Sequence, residues 1–384
     1  MNARTDTADI VVIGGGILGI CTAYYLLQHS NLKVVVCEKD LLAQAATGLC
    51  VGGIRQQFSH PANIRLSQET LQILEESRDE WGAALDFHKI GYLFLTKDPA
   101  TWENFLGNVE VQLRWNVPVE ALSPQEIHHR WPYLRTDDLL GGTFCADDGY
   151  VDPYDVAMAF SRAARKEGAV FLEKTEVLDI ELKSDRVQAV ITTQGRLATP
   201  VVINAAGAWA TQVACMSGLN LPIKPYRRQV YVTTAFDAIP RPIPLVIDQD
   251  SLFYFREDGP GILMGKTDAA EPSSFNTHTD REFLETLIET ASYRAPRLAE
   301  AEILRGWGGL YAITPDENPI IGALSDHQGL YGAIGFSGHG FQHGPAVGRA
   351  LSRMVLEGKV DLDLSAFRYD RFDRLEDTGE KITV

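Results

Sequence analysis

A glycine-rich turn between a short apolar strand and a helix constrains this chain more than any other feature. The run Asp9–Ile13 is apolar and β-branched, which predicts a buried strand, and the pattern G-x-G-x-x-G follows at Gly14–Gly19. Ile20–Gln28 has the composition of a helix, and Lys33–Cys37 that of a second buried strand. The segment therefore predicts one βαβ unit with parallel strands.

Each glycine of this turn has a physical role in binding a dinucleotide. Gly14 permits the tight turn, Gly16 lets a pyrophosphate approach the backbone, and Gly19 allows the helix to pack closely on the strand. The helix N-terminus then faces the phosphates with its positive end, and Ile17 and Leu18 of the turn are predicted to contact the cofactor. Glu38 follows the second strand, where a carboxylate accepts hydrogen bonds from the ribose hydroxyls.

Two further Gly-rich segments favour FAD over NAD as the dinucleotide. Ala43–Gly53 is small, Gly-rich and unpatterned, and Gly335–Gly344 is similar but lies near the other end of the chain. An NAD domain usually continues as a regular alternation of strands and helices, whereas the longer FAD needs contacts from several segments. An NAD-dependent dehydrogenase remains the alternative at this point.

The rest of the pattern predicts an α/β protein with a second, β-rich domain. We predict a Rossmann-like cofactor domain that is discontinuous, formed by residues 1–86, 145–215 and 320–384. The segments between them contain many prolines and short strands. Residues 87–144 and 216–319 are predicted to form a substrate domain with a mixed sheet and helices.

Charge and composition narrow the possible partners and location. The formal net charge is −16, from 35 basic and 51 acidic residues, and such a surface repels the phosphate backbone of nucleic acids. No apolar run has the length of about 18 residues that a transmembrane helix needs, and none near the N-terminus resembles a signal peptide. We therefore expect a cytoplasmic protein that binds a small molecule. The histidines lack metal-ligand spacing, so no metal site is predicted.

The chain resembles the D-amino-acid oxidase/sarcosine oxidase superfamily of FAD-dependent amine oxidoreductases over nearly its full length. Besides the N-terminal turn, the resemblance rests on Thr47–Phe58, Val202–Ala210, Gly306–Gly322 and Gly335–Gly344. Within the superfamily, the sequence looks like the beta subunits of heteromeric sarcosine oxidase, dye-linked L-proline dehydrogenase and opine oxidase. The resemblance implies oxidation of an amino acid or a secondary amine, such as an N-alkyl or cyclic amino acid.

The resemblance also implies which further residues contact the FAD. These are Lys39, Ala46, Thr47, Gly48, Gly52, Gly53, Val177, Ala206, Gly207, Trp209, Gly309, Ser337, Gly338, His339, Gly340, Phe341 and Gln342. Val177 would contact the adenine through its backbone, and Ser337–Gln342 would meet the flavin at a helix start, where the helix dipole stabilises negative charge. Monomeric sarcosine oxidase holds FAD covalently through a Cys in the segment matching Gly308–Tyr311. Gly309 stands in this segment here, which implies non-covalent FAD.

Candidate catalytic residues follow from the resemblance and from their chemistry. Lys266 matches a flavin-facing Lys of monomeric sarcosine oxidase that promotes reaction with oxygen, although a solvated Lys at a strand end is the alternative. Arg55 is a candidate for the substrate carboxylate, with a structural ion pair or a phosphate contact as alternatives. His339 is a candidate to donate to a flavin oxygen or to tune the protonation of the amine. Tyr254 and Tyr311 are candidates for the pocket wall.

Gln342 matches a Lys that grips the substrate carboxylate in monomeric sarcosine oxidase, so it implies a weaker polar contact. The implied reaction is hydride transfer from the carbon next to the amine nitrogen to flavin N5, which gives an imine. Oxygen would then yield hydrogen peroxide. Three alternatives stay open: a dye- or quinone-linked dehydrogenase, a subunit of a hetero-oligomer, and a flavoprotein that acts as an assembly factor. A homo-oligomer is also possible.

Overall fold

The N-terminal βαβ unit forms as the sequence predicts. In the computed structural model, which describes residues 6–81, 85–324, 327–373 and 379–380, strand β1 (Ile10–Ile13) leads into helix α1 (Ile17–Gln28) and strand β2 (Val34–Cys37). The two strands pair in parallel and are buried along their whole length. Their uninterrupted apolar character is typical of strands covered on both faces.

The remaining elements follow in chain order. The other strands are β3 (Gly53–Ile54), β4 (Tyr92–Thr96), β5 (Val119–Leu122), β6 (Gly141–Cys145), β7 (Gly149–Tyr150), β8 (Val170–Leu172), β9 (Val177–Lys183), β10 (Arg186–Thr192), β11 (Gly195–Ala198), β12 (Val201–Asn204), β13 (Lys224–Thr233), β14 (Leu245–Asp248), β15 (Phe253–Asp258), β16 (Gly261–Lys266), β17 (Ile303–Ile313), β18 (Ile320–Ala323) and β19 (Leu330–Ile334). The other helices are α2 (Ala46–Leu49), α3 (Pro61–Trp81), α4 (Pro99–Arg114), α5 (Pro124–Arg130), α6 (Pro153–Lys166), α7 (Ala210–Cys215), α8 (Arg281–Arg294) and α9 (Gly340–Glu357).

Several helices begin at a side-chain cap that the sequence provides. Asp98, Asp152 and Asp280 each accept a hydrogen bond from a backbone N–H in the first turn of α4, α6 and α8. Ser123 and Glu126 form a reciprocal capping box at the start of α5. Such caps satisfy backbone donors that have no partner inside the helix, which fixes where each helix begins.

A six-stranded sheet carries the dinucleotide-type elements. Its strand order is β18-β19-β12-β1-β2-β8, with β18 antiparallel to β19 and the other pairs parallel. Helices α1, α3, α6 and α9 cover one face, and the three-stranded sheet β11-β10-β9 packs on the other. The fold is therefore α/β with a Rossmann-like unit, as predicted.

Helix α9 begins five positions earlier than the sequence pattern indicates. The Gly-rich character of Gly335–Gly344 and Pro345 favour a helix that begins only at Pro345, whereas the structure has helix from Gly340 onward, with Pro345 inside it. The glycines in this stretch serve helix packing, because a Cβ on Gly344 would lie 2.7 Å from the Ile17 side chain of α1. A Cβ on Gly348 would lie equally close to the backbone of Cys21. Close contact of α1 and α9 thus accounts for glycines inside a helix.

An eight-stranded sheet forms the second unit, in the order β17-β13-β16-β15-β14-β4-β6-β5. Directly paired residues share one face, so Val230, Tyr254 and Trp307 lie together on what we call the inner face. The alternate residues, such as Tyr231 and Phe255, lie on the outer face and pack with α8. This alternation decides which polar side chains can reach the cofactor-binding unit.

The strands of the two large sheets occupy different stretches of the chain. The six-stranded sheet uses segments within 10–37, 170–204 and 320–334, whereas the eight-stranded sheet uses segments within 92–145 and 224–313. The exact division into two domains stays a prediction. No helix in the described part of the chain combines the length and the apolar character that crossing a membrane requires.

Candidate active site

The N-terminal turn has the geometry that its glycines require. Gly14 has φ +112°, and a Cβ there would collide with the backbone oxygen of Ala205 at the end of β12. A Cβ on Gly19 would collide with the Gly14 carbonyl oxygen, so this glycine permits close helix–strand packing. Gly16 is different, because its Cβ would meet only the Thr47 hydroxyl, at 3.1 Å. The absence of a side chain at Gly16 therefore lets a pyrophosphate approach the backbone of the turn.

The first turn of α1 presents backbone donors without an acidic cap. The backbone N–H of Ile17 donates to Thr47 Oγ1 at 3.0 Å, and Leu18 follows it as the second helical residue. No side chain caps the helix at Gly16, and its first turn has no acidic residue. Such a helix start attracts an anion, which here would be the pyrophosphate.

Glu38 lies beside the turn from the end of β2. Its carboxylate accepts hydrogen bonds from the backbone N–H of Gly15 at 2.7 Å and of Asp40 at 2.8 Å. The backbone oxygen of Glu38 accepts from the N–H of Thr175, two residues before buried Val177. The chain thus brings the two predicted ribose and adenine contacts together from positions far apart in the sequence.

Lys39 and the segment after β12 lie near the same edge of the six-stranded sheet. The Lys39 ammonium nitrogen lies 3.3 Å from the centroid of the Trp209 ring, a cation–π contact. Ala206 donates its N–H to the Asn204 side chain, and Gly207 has φ +52° with no atom near its Cβ position. The backbone there is accessible, as a contact with the pyrophosphate side would need.

The loop from Ala46 to Gly53 lies between the two units. Helix α2 holds Ala46, Thr47 and Gly48, and a Cβ on Gly48, Gly52 or Gly53 would collide with neighbouring protein atoms. These glycines therefore allow the loop to pack against the protein. The inner face fixes the loop, because Trp307 Nε1 donates to the Leu49 carbonyl and Arg256 Nη2 donates to the Val51 carbonyl, each at 2.9 Å.

The Gly-rich segment before α9 lies opposite this loop. Ser337 has φ +48° and Gly338 has φ +99°, and a Cβ on Gly338 would lie 2.5 Å from the Tyr311 ring. His339 is the N-cap residue of α9, Gly340 is its first residue, and Phe341 packs into the core of the Rossmann-like unit. No acidic residue lies in the first turn of the helix. A positive helix end therefore points toward the space beside Tyr311.

Arg55 is buried within the protein, at 3% exposure. Its backbone N–H donates to Gln342 Oε1 at 2.8 Å, and its guanidinium lies over the Phe58 ring, 3.8 Å from the centroid. Nη1 donates to the Gln57 carbonyl, and Nη2 lies 3.3 Å from His339 Nε2. Burial lowers the pKa of Arg55 below its usual range. These contacts fit the structural role that the sequence left open for Arg55.

His339 is kept neutral by its surroundings. Burial, and then the positive charge of Arg55, hold the pKa of His339 well below its usual range. Its Nδ1 is buried and makes no hydrogen bond with any other described residue. An unsatisfied buried nitrogen at a helix start is costly, so this position fits a polar ligand group.

The inner face carries an arginine that the sequence analysis did not select. Arg228 pairs directly with Gly309, and both lie on the side of the sheet that faces the loop. The Tyr311 ring centroid lies 5.2 Å from the Arg228 guanidinium, and Tyr254 covers the neighbouring Gly265. One sequence feature points to Arg228: in the alternating pattern of β13, it lies on the same strand face as the apolar residues Val230 and Val232. A charged residue in that register is unusual on a buried face.

Lys266 does not join this group. It pairs with Gln229 and Phe253 on the outer face, and its ammonium nitrogen lies 3.3 Å from Thr290 Oγ1 of α8. The preceding residue, Gly265, lies on the inner face of the sheet. Lys266 would therefore have to shift by one residue along the strand to face the flavin, as the resemblance implies. A one-residue difference reverses the side-chain direction.

The assembled residues fit an FAD molecule. The open approach at Gly16, the Glu38 carboxylate beside the turn and the unpartnered His339 Nδ1 are separate observations that each accommodate part of a flavin dinucleotide. They lie on three segments that the fold brings to one side of the inner face. Within the described residues, no group of three or more His, Cys, Asp or Glu side chains is placed to hold a metal ion.

Comparisons with known proteins agree with this arrangement. A family model described as FAD dependent oxidoreductase matches residues 9–354. FAD-dependent oxidoreductase domain-containing protein 1 of Xenopus laevis is 32% identical, over 96% of this chain and 83% of that protein. The crystal structure of L-proline dehydrogenase from P. horikoshii has 33% sequence identity and a TM-score of 0.90, over 96% of this chain and 99% of that chain.

A third relative is longer than this chain. Mitochondrial dimethylglycine dehydrogenase of Rattus norvegicus is 28% identical over 96% of this chain, and the match covers 45% of that protein. The chain therefore spans less than half the length of this relative.

Proposed function

The chain belongs to the FAD dependent oxidoreductase family, and from this premise we propose that it oxidises a secondary or cyclic amino acid. Membership confirms the predicted superfamily, the enzyme class and FAD as the cofactor, in place of the NAD alternative. Two of the relatives are named for dimethylglycine and L-proline, which are both amino acids. The identity of the substrate, the electron acceptor and the roles of individual residues are our proposals.

One observation carries the proposal. The inner-face residues Arg228, Tyr254 and Tyr311 lie opposite the start of α9, where Gly338 packs on Tyr311. A cation and two tyrosines beside a flavin site suit a substrate with a carboxylate and an apolar carbon frame. The relatives named for L-proline and dimethylglycine support a secondary or tertiary amine.

We assign the cofactor contacts to the three Gly-rich segments. The first turn of α1 and Thr47 would hold the pyrophosphate, Glu38 the ribose, and Ser337–Gln342 the flavin ring. Bound there, FAD would supply the oxidising chemistry by which the substrate loses a hydride from the carbon next to the amine nitrogen. We also propose that the FAD is held without a covalent bond. Acid precipitation that leaves the yellow colour in solution would support this.

The protein's own residues orient the substrate, and none of them acts as a strong base toward it. His339 is neutral, and burial raises the pKa of Tyr254 and of Tyr311, so these groups stay uncharged near neutral pH. These uncharged side chains, together with the nearby positive charge of Arg228, favour the neutral form of the amine, which has the electron pair that hydride loss requires. The sheet face and the α9 start then act by positioning the C–H bond.

For the electron acceptor, we propose a dye, a quinone or a partner protein rather than oxygen. The oxygen hypothesis depended on Lys266 beside the flavin, and that side chain lies on the outer face of the sheet. Two of the relatives are named dehydrogenases. Reaction with oxygen to give hydrogen peroxide remains the alternative.

The test is an anaerobic absorbance titration of the purified yellow protein with a panel of secondary and cyclic amino acids. Loss of the oxidised-flavin band with L-proline, N-methylglycine or a related compound is the expected result. Slow recovery in air together with fast recovery with a dye would support the dehydrogenase, and fast recovery in air would support the oxidase. If no compound reduces the flavin, the proposal that this chain alone oxidises these substrates fails. An assembly factor or a chain that needs a second subunit would then be favoured.

A further inference from the structure

Two side chains from either side of β1 meet across its end. Lys39 follows the last residues of β2, and Trp209 ends the turn that follows β12. In the six-stranded sheet, β12 and β2 are the two neighbours of β1, and all three strands are parallel. The Lys39 ammonium nitrogen nevertheless lies only 3.3 Å from the centroid of the Trp209 ring. This contact therefore spans the carboxyl end of β1, where the turn Gly14–Gly19 begins.

The carboxyl end of β1 is the edge at which the dinucleotide binds. Ligands of open parallel sheets lie beyond the carboxyl ends of the strands. Lys39 directly follows Glu38, whose carboxylate accepts a hydrogen bond from the N–H of Gly15 in the turn. Trp209 lies two residues after Gly207, which has φ +52° and no atom near its Cβ position. The contact between the two side chains thus lies over the cleft that the cofactor has to enter.

A third side chain reaches this place from the other unit of the molecule. Phe275 belongs to the connection between β16 and α8, and its ring stacks on the ring of Trp209. The two ring centroids lie 5.5 Å apart, and the ring planes differ by 25°. Phe275 is 41% exposed, so packing into the core of its own unit does not explain its position. Its contact with Trp209 does, because aromatic pairs attract each other beyond the burial of their surface.

The backbone on both sides of Phe275 is held by the eight-stranded sheet. The N–H of Ser274 donates to the Pro225 carbonyl of β13 at 3.1 Å. Arg227, on the same strand, donates through Nη1 to the His278 carbonyl. The segment 274–278 is therefore fixed to one unit, while the Phe275 ring contacts the other unit.

We propose that Lys39, Trp209 and Phe275 form a clasp over the cofactor cleft, which has to open whenever FAD enters or leaves. The cation–π contact joins the ends of β2 and β12, and the aromatic stack ties them to the eight-stranded unit. Phe275 is then a positioning residue through which the eight-stranded unit controls the exchange of a cofactor bound mainly by the other unit. The inference requires FAD as the cofactor but no particular substrate.

The experiment measures the release and the uptake of FAD in the wild type, Phe275→Ala and Phe275→Tyr. Release is the rate at which flavin appears in the filtrate after the yellow holoenzyme is diluted. Uptake is the rate at which the flavin fluorescence changes when the apoprotein is mixed with FAD. Tyr293→Ala is the matched control, because it removes an aromatic ring of similar exposure, 42%, from α8. The thermal midpoint of each apoprotein reports folding.

We expect Phe275→Ala to release FAD about 2- to 10-fold faster than the wild type, which is the effect of losing one aromatic pair. Uptake should become faster by a similar factor, because the same contact has to break in both directions. The ratio of the two rates, and with it the dissociation constant, should change little. Phe275→Tyr keeps the ring, so it should behave like the wild type, as should Tyr293→Ala.

Two results would overturn the clasp. The first is a wild-type release rate in Phe275→Ala. The second is faster release with unchanged uptake, which would mean that Phe275 stabilises bound FAD without controlling its passage. If Phe275→Ala lowers the thermal midpoint of the apoprotein, Phe275→Leu decides by the same criteria, because it keeps an apolar side chain but lacks the ring. Neither assay contains an amine, so a failure of the proposed amino-acid oxidation leaves these results unaffected.

Discussion

The two faces of the eight-stranded sheet differ in one arginine, because the inner face pairs Arg256 with Asp258 but leaves Arg228 without an acidic partner among the described residues. On the outer face, Arg227 is surrounded by Glu271 and Asp280, and Arg294 binds the carboxylates of Asp248 and Asp138. On the inner face, Arg228 has no carboxylate partner among the described residues. The outer face therefore satisfies its charges within the protein, whereas the inner face leaves one cation for a ligand.

This difference arises from strand alternation. Arg227 and Arg228 are adjacent in sequence and chemically identical, and the period of two places them on opposite sides. Removing one partner of a buried ion pair leaves the other charge without a counter-charge, which lowers the stability of the fold. Removing a buried cation that has no partner in the protein has no such effect. Substitutions on the outer face should thus change stability, and substitutions on the inner face should change binding.

The largest expected effect is on the outer face, at Arg294. Its side chain is 1% exposed, and the guanidinium donates to Asp248 at 2.7 Å and to Asp138 at 2.9 Å. Arg294→Leu should lower the free energy of unfolding by about 3–5 kcal/mol, because both carboxylates lose their partner in a buried site. Urea denaturation followed by fluorescence measures the change.

The control for Arg294 is Arg297→Leu three residues later, where the ion pair with Glu300 is exposed to solvent. This change should cost less than about 1 kcal/mol. If Arg294→Leu costs no more than the control, the outer face does not depend on its paired charges, and the comparison between the faces loses its energetic basis.

Two adjacent glycines of β17 sharpen the comparison. A Cβ on Gly308, on the outer face, would lie 2.6 Å from the Thr277 carbonyl oxygen, so Gly308→Ala should destabilise the fold by about 1–3 kcal/mol. A Cβ on Gly309, on the inner face, would be 3.5 Å from Leu49 Cβ, an ordinary contact. Gly309→Ala should keep the stability within about 0.5 kcal/mol of the wild type but weaken the binding of substrate or FAD, because the methyl group occupies ligand space.

Thermal melts of the two alanine variants, with FAD content and KM for the best substrate, decide this prediction. The expected pattern is a stability effect at Gly308 alone and a binding effect at Gly309 alone. An unstable Gly309→Ala with normal KM would show that the inner face at this position is packed against protein rather than open to ligand.

Acid should destabilise the histidine cluster at the start of α9, formed by His339 and His343, whose ring centroids lie 6.1 Å apart. Burial lowers the pKa of His343 to about 3, so between that pH and about 6.5 the unfolded chain binds a proton that the folded chain does not. Stability therefore falls as pH falls, by about 1.4 kcal/mol per pH unit for this group. His343→Gln should reduce the slope of the unfolding free energy by that amount between pH 6 and 4.

Asp148 opposes this trend in the wild type, since burial raises its pKa to about 6 and the folded chain takes up a proton first. Asp148 contributes equally to the variant and to the wild type, so its contribution cancels when the two slopes are subtracted. His129→Gln is the control, because that side chain is exposed to solvent in the folded chain as in the unfolded chain. An unchanged slope in His343→Gln would mean that the cluster admits a proton without unfolding.

The sequence predicted the parts of this molecule that depend on local patterns. The βαβ unit, the roles of Gly14 and Gly19, and the proximity of Glu38 to the turn follow from short-range spacing and apolar runs, and the structure has them. The Gly-rich segments also identified the family, although Gly48, Gly52 and Gly344 serve packing within the protein rather than backbone approach to a ligand.

What the sequence did not provide is the direction of side chains in a sheet whose register depends on distant partners. Lys266 was expected beside the flavin and Arg228 was not selected, although both are basic residues on neighbouring strands. Deciding between them required knowing which of two alternating faces meets the Ala46–Gly53 loop, and that contact joins segments about 250 residues apart in sequence, as the Trp307–Leu49 hydrogen bond shows.

The smallest expected effect is at Lys266, on the outer face. Its ammonium group reaches Thr290 of α8, and the sheet separates it from the start of α9. Lys266→Met should therefore leave the ratio of oxygen turnover to dye turnover within about twofold of the wild type and change stability by less than about 0.5 kcal/mol. Parallel oxygen-electrode and dye-reduction assays measure the ratio. A selective loss of oxygen turnover would mean that a charge on the outer face acts through the sheet on the flavin. The two faces would then be electrostatically coupled. The role of Arg228 on the inner face would have to be reconsidered together with the charge of Lys266.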